Sequence, residues 1–193
     1  FEEIEALTVV DLLRRAKVYV DTVSITDDYT VRGAHGIPVQ TEDLITEIDF
    51  KESDMIVLPG GMPGTVHLGE HKGVQNILKD FHSEKKNIAA ICAAPSVLGK
   101  YGILEGRRAC CYPSFEEQLT GAEVVFEPVV QDGHIVTSRG MGTAIPEEKR
   151  TLKLENNTYV LNEEFLTMTH LFWMELRLKK HGYVTRMEHL MLE

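Results

Sequence analysis

Apolar and polar positions alternate along this chain with periods that change several times. From Glu2 to Ala16, Ile4, Leu7, Val10 and Leu13 recur at helical spacing, with acidic residues at the head of the segment, where a helix dipole favours them. A helix is predicted there. Lys17–Ile25 alternates about Val18 and Val20, and Val31–Val39, broken by Gly and Pro, has the pattern of strands around a hairpin. Met55-Ile56-Val57-Leu58 is uninterruptedly apolar and ends in Pro59-Gly60-Gly61, as expected of a parallel strand covered on both faces and opening into a loop on the ligand side of a sheet. Val74, Ile77, Leu78 and Phe81 mark a second helix, and Ile88–Ile91 a second buried strand. Strand, helix and strand in that order predict an α/β fold, a doubly wound and mostly parallel sheet.

Pro95 falls where the first turn of a helix tolerates it, so Cys92 is placed in a strand-to-helix turn. Arg108–Tyr112 reads as a short strand and Phe115–Leu119 as a helical turn. Val129–Gln131 and His134–Val136, separated by Asp132-Gly133, read as a hairpin with a type I′ turn. The core pattern ends near Thr137–Pro146. After Glu147 the texture changes to a small hairpin around Asn156-Asn157, a helical pattern capped by Asn162 through Phe165, Thr169, Phe172 and Leu176, and a short end. Two regions are therefore expected, an α/β domain over 1–146 and an atypical tail over 147–193.

Charge sharpens that division. The chain has 193 residues and a formal net charge of −10, from 20 Lys and Arg against 30 Asp and Glu. The tail holds 8 acids and 7 bases, so the acidic excess lies in the first 146 residues. An acidic chain without a basic run is repelled by phosphate backbones and anionic bilayers, which excludes nucleic acid and membrane surfaces as expected partners. The long uncharged stretches, 55–69 and 87–99, are interrupted by Pro and predict no membrane span. Three cysteines, an odd number, argue against a disulfide framework and for a reducing compartment, with the cytoplasm expected. The opening Phe1, with no basic and apolar leader, suggests that the natural start lies upstream.

Cys92 is the first chemical candidate. A thiol at a helix start lies near free backbone N–H groups and the positive dipole end, which favours thiolate, although a free cysteine often simply packs. Glu5, flanked by Ile4 and Ala6, points about a turn away from Glu2 and can face the sheet's loop end while Glu2 and Glu3 face water. The loop from Pro59 to Gly64 lets backbone approach a ligand closely but lacks nucleotide-binding spacing. Gly140-Met141-Gly142 reads as a turn. His67-Leu68-Gly69-Glu70-His71 matches a zinc-binding pattern by letters, but Gly69 and Gly73 weaken the helix that pattern needs. Cys110 and Cys111, read as strand neighbours, point to opposite faces and make no metal clamp. No metal site is predicted.

Four blocks, Phe1-Glu2-Glu3-Ile4-Glu5-Ala6, Val57-Leu58-Pro59-Gly60-Gly61, Ala89-Ala90-Ile91-Cys92-Ala93-Ala94-Pro95 and Thr137 to Ala144, resemble the ThiJ/PfpI family, and within it the parkinsonism-associated protein deglycase subgroup. The resemblance covers residues 1–146. It implies a flavodoxin-like fold of the class I glutamine amidotransferase type, usually homodimeric, with Cys92 the reactive cysteine and Glu5 the carboxyl hydrogen-bonded to it. It further implies that the amides of Gly60, Gly61 and Ala93 line an oxygen-binding side, and that Arg32 approaches the site across a dimer interface. Ala93 stands where peptidases of the family carry His, which argues against peptidase activity. Tyr112 stands where human-like members carry a His beside the substrate.

The implied function is a glutathione-independent glyoxalase or deglycase without cofactor, acting on methylglyoxal, glyoxal or early glycation adducts. The competing reading is an oxidative-stress sensor or redox-responsive chaperone, working through a Cys92 sulfinate. The family also has a strand before the Phe1-Glu2-Glu3 motif and a long helix after Ala144. Neither is visible in this chain, so a central strand is expected to be missing and two sheet edges to be open.

Overall fold

The computed structural model describes residues 1–144, 153–155, 158–160 and 188–192. Helix α1 (Glu3–Arg15) begins with the Glu2 carboxylate accepting the Glu5 N–H at 2.8 Å and ends with Arg14 and Arg15 at its negative pole. Its inner stripe, Ala6, Val9, Val10 and Leu13, is buried. Strand β1 (Val20–Ser24) follows, then the antiparallel pair β2 (Thr30–Arg32) and β3 (Pro38–Gln40), and the short β4 (Asp43–Leu44). Strand β5 (Met55–Leu58) is buried along its whole length. Helices α2 (Gly64–Glu70) and α3 (Lys72–Glu84) lead to β6 (Asn87–Ile91), and α4 (Pro95–Lys100) starts on the expected proline.

Strands β7 (Arg108–Ala109) and β8 (Glu123–Val124) form a parallel pair. The hairpin of β9 (Val129–Asp132) and β10 (Ile135–Ser138) turns at Gly133, whose φ of 61° suits the left-handed conformation that such turns demand. A short helix α5 (Met141–Ala144) comes next. In the tail, β11 (Lys153–Glu155) pairs antiparallel with β12 (Thr158–Val160), and β13 (Glu188–Leu192) is the last described element.

The central sheet has seven strands in the order β4-β1-β13-β5-β6-β10-β9, all parallel except β9. This is the expected doubly wound, flavodoxin-like arrangement. Apolar layers cover both faces: one includes Leu58, Leu78, Phe81 and Met191, the other Phe1, Val57, Ile91 and Leu192. The expectation of a missing central strand is overturned. The position between β1 and β5 is filled by β13, which pairs in parallel with both, from Val20↔Glu188 to Ser24↔Leu192 on one side and from Met55↔Glu188 to Val57↔Leu190 on the other. Alternation in a six-residue end carries no address, so only the two unsatisfied ladders could reveal where that segment belongs.

Two further expectations change. The predicted strand Arg108–Tyr112 stops at Ala109, so Cys110 and Cys111 lie beyond it; both are buried, and the Cys110 thiol faces the Thr137 carbonyl at 3.3 Å. The H-x-x-E-H motif does not form one helical face. His71 falls between α2 and α3, and its Nδ1 accepts the Val74 N–H at 3.3 Å as the cap of α3. The helical pattern that begins at Asn162 lies outside the described residues.

Candidate active site

Strand β6 delivers Cys92 to the carboxyl end of the sheet and there the backbone turns sharply: Cys92 has φ 63°, the left-handed region a side chain with a Cβ seldom enters. Two hydrogen bonds hold this strained residue, which otherwise costs on the order of 1–3 kcal/mol. Its N–H donates to the Ser138 carbonyl at the end of β10 (2.9 Å), and its own carbonyl accepts the Tyr112 N–H (2.8 Å). The chain then enters α4 with Ala93 and Ala94 buried. The geometry lifts the thiol off the sheet while leaving it half-buried.

Glu5 comes to the same point from α1. Only 2% of it is exposed, and its carboxylate accepts the Gly60 N–H at 3.1 Å on Oε2, the Met141 N–H, and the Cys92 thiol. Gly60 is required here, because a Cβ on it would stand 2.5 Å from Glu5 Oε2 and 2.6 Å from Cys92 Cβ. Burial raises the Glu5 carboxyl from its ordinary 4.5 to about 7, assisted by the nearby Glu2 charge and opposed by the hydrogen bonds from Cys92, Gly60 and Met141. The thiol responds to the same surroundings. Burial, then the Glu5 charge and its hydrogen bond, push Cys92 up to about 12, while the amides of Ala93 and Gly61 pull it down.

The helix-start argument for a resting thiolate is therefore outweighed, first by burial and then by the Glu5 carboxylate. A buried carboxylate within hydrogen-bond reach counts for more than a dipole end. Once Glu5 takes up a proton, its charge is gone and the two amides remain directed at the sulfur. The carboxyl and the thiol each shift the other's titration, so they behave as one electrostatically linked pair.

The structure distributes the other candidate residues as follows. The amides of Gly61 and Ala93 face the sulfur, whereas the Gly60 amide is engaged by Glu5. Tyr112 is half-exposed beside Gly140; a Cβ on Gly140 would lie 3.3 Å from the Tyr112 ring, 3.6 Å from Glu5 Oε1 and 3.9 Å from Cys92 Sγ. Arg32 is exposed on β2 and donates to the Gly36 carbonyl at 3.3 Å, in its own turn. Glu3, expected in water, is buried; its carboxylate accepts the His35 backbone N–H and bonds His35 Nδ1, each at 2.8 Å. Burial alone raises Glu3, but the hydrogen bonds from His35 prevail and hold it at about 2.

The Gly140-Met141-Gly142 segment, expected as a turn, leads instead into α5, with Met141 its first residue. It carries the Met141 amide that meets Glu5, and its signal was the two glycines inside a family block. Among the described residues, one group of three possible metal ligands occurs, Glu2, Glu3 and His35, and none at the thiol.

A parallel α/β sheet carrying a cysteine on a strained strand-to-helix turn, hydrogen-bonded to a buried carboxyl from the first helix, defines a class of cysteine-centred proteins of the flavodoxin-like type. The DJ-1/PfpI family description matches residues 1–152, and this chain belongs to that family.

Its relatives include Protein DJ-1 homolog A of Arabidopsis thaliana, 42% identical over 147 residues, which are 75% of this chain and 38% of the relative. A protein of Pyrococcus abyssi named as a deglycase is 38% identical over 127 residues, 64% of this chain and 75% of its own length. The solved structure of oxidized Toxoplasma gondii DJ-1 superposes with a TM-score of 0.71 at 38% identity, over 74% of this chain and 78% of that one. The chain spans about a third of the Arabidopsis relatives it matches, 38% of homolog A and 33% of homolog B. No helix among the described residues is long and apolar enough to cross a membrane.

Proposed function

We propose that the chain is a cysteine-dependent, glutathione-independent glyoxalase or deglycase, acting on methylglyoxal, glyoxal or early glycation adducts without a cofactor. The observation that carries this reading is the hydrogen-bonded pair of Cys92 and Glu5, in a family whose relatives include proteins named as deglycases. In the first step the thiol adds across the aldehyde C=O. The S–C bond forms, the carbonyl π bond breaks, and the thiol proton passes through Glu5 to the oxygen, giving a hemithioacetal. Glu5 carboxylate then removes the proton from the carbon that bears sulfur while the neighbouring carbonyl oxygen is protonated, giving an enediol; loss of the O–H proton on the sulfur-bearing carbon and protonation of the neighbouring carbon leave a 2-hydroxy thioester. Water cleaves that thioester to a 2-hydroxy acid and free thiol, so no external oxidant or reductant enters. A carboxyl titrating near 7 is suited to both removing and returning a proton at neutral pH.

The amides of Gly61 and Ala93, directed at the sulfur, lie close to where the oxyanion of the adduct would develop. The exposed apolar residues Ile4 and Leu7, one turn apart on α1, and Ile37 beside β3 support a homodimer, with Arg32 approaching the site across its interface. The three free thiols suit a reducing compartment, the cytoplasm.

Methylglyoxal consumption without glutathione tests the reading. Activity lost in Cys92→Ala and Glu5→Gln supports it, and equal background rates in all three proteins overturn it. A second reading draws on the same pair: a carboxyl half-protonated near neutral pH can donate to a sulfinate and stabilise it, making Cys92 a peroxide sensor. Intact mass after mild peroxide then shows two added oxygen atoms in the wild type and none at this site in Cys92→Ala.

A further inference from the structure

The segments that build the thiol–carboxyl pair also carry three large apolar side chains that the fold leaves in the open. Met62 follows Gly61, whose amide faces the sulfur; Met141 gives its own amide to Glu5; and Tyr112 gives its amide to the Cys92 carbonyl. Each is about half exposed, Met62 at 51%, Tyr112 at 50% and Met141 at 50%. The Tyr112 ring stands beside the thiol. Its edge and the Cys92 sulfur flank one point, the spot a Cβ on Gly140 would take, at 3.3 Å and 3.9 Å respectively. With both within 4 Å of one point, ring and thiol border the same small region, so a substituent on a carbon joined to the sulfur is within reach of the ring. Two negative charges act here, Glu2 on Glu5 and Glu5 on Cys92.

We propose that Met62, Tyr112 and Met141 form an apolar rim that makes Cys92 selective for uncharged electrophiles bearing an aryl or alkyl group next to the reacting carbonyl, with Tyr112 the main selecting residue. For the enzymatic substrate this rests on the glyoxalase reading above, and it narrows that reading to substituted 2-oxoaldehydes over glyoxal itself. The physical ground is desolvation. An aryl group laid against the Tyr112 ring removes apolar surface of both from water and gains ring–ring contact, whereas glyoxal has no carbon to place there. Carboxylate-bearing adducts meet Glu2 and Glu5 with like charge.

The test compares phenylglyoxal with glyoxal, as kcat/KM for the wild type, Tyr112→Ser and Met141→Ser, using the same compounds throughout so that intrinsic reactivity cancels. The ratio of phenylglyoxal to glyoxal is expected to fall about fivefold to tenfold in Tyr112→Ser and less in Met141→Ser. A second measurement needs no catalysis: the alkylation rate of Cys92 by N-phenylmaleimide against N-methylmaleimide, followed by intact mass with Cys92→Ala as the blank. The phenyl-to-methyl ratio is expected to fall by a similar factor in Tyr112→Ser. If the wild type consumes neither oxoaldehyde while the maleimide ratio falls, the glyoxalase reading fails and the rim stands. If the maleimide ratio is the same in wild type and Tyr112→Ser, the rim is overturned whatever the oxoaldehydes do. Circular dichroism of each variant confirms that the exposed substitutions leave the fold intact.

Discussion

Replacing Glu5 by Gln is expected to make the protein more stable at alkaline pH than at acidic pH relative to wild type, and the size of the effect follows from the buried carboxyl. In the unfolded chain Glu5 titrates at its ordinary 4.5; in the fold burial raises it to about 7. Between these values the native state binds more protons than the unfolded state, so wild-type stability falls as pH rises through this window and levels off above it. A separation of about 2.5 pKa units corresponds to about 3 kcal/mol. Gln cannot titrate, so its stability lacks this component. It carries a pH-independent offset of its own, since an amide NH2 facing the Met141 N–H leaves polar groups unpaired. Comparing urea unfolding of both proteins at pH 4.5, 6, 7 and 8 removes that constant. The difference in unfolding free energy, Gln variant minus wild type, should grow by about 3 kcal/mol across the range, most of it between pH 4.5 and 7. Parallel curves would refute the assignment of Glu5 as a buried, destabilised carboxyl, and with it the proton-transfer role.

Other consequences are equally open to measurement. Gly60→Ala puts a Cβ 2.5 Å from Glu5 Oε2, and methylglyoxal turnover should drop by on the order of 10² or more while circular dichroism stays native. Leu192→Ala removes a fully buried side chain from β13 and should lower the urea-derived stability by about 2–5 kcal/mol; a change near zero would mean the strand does not occupy the sheet in solution. His35→Ala removes the side-chain partner of Glu3. The stability gained from the depressed Glu3 carboxyl is complete above 4.5 and is lost as pH falls toward about 2, so the acid-unfolding midpoint followed by circular dichroism should move to higher pH in the variant.

Much of this molecule is legible in its sequence. Met55–Leu58 and the strand ending at Ile91 needed only their apolar runs, because a strand covered on both faces has no polar side to display. Asp132-Gly133 specified its hairpin through the positive φ that the turn requires. Less was legible wherever a residue's role depends on what arrives from elsewhere. Glu3 and Glu5 belong to one acidic run, yet each is buried against a different distant segment, the Gly33–His35 loop for Glu3 and Gly60 with Cys92 for Glu5. The Gly140 turn looked like punctuation because its function is carried by a backbone amide, and backbone amides leave no letter in a sequence.

By itself, then, the sequence determined the local elements, the parallel character of the sheet, the strand-to-helix turn at Cys92 and the family blocks, all of which follow from periodicity and short-range chemistry. Tertiary structure alone decided two matters. It placed β13, the last described strand, between β1 and β5, because two open ladders of N–H and C=O groups in a sheet's middle must be satisfied by some strand and sequence order does not say which. It also brought the pair together. Cys92 and Glu5 are 87 positions apart in the chain, and only burial side by side raises both the carboxyl, to about 7, and the thiol, to about 12.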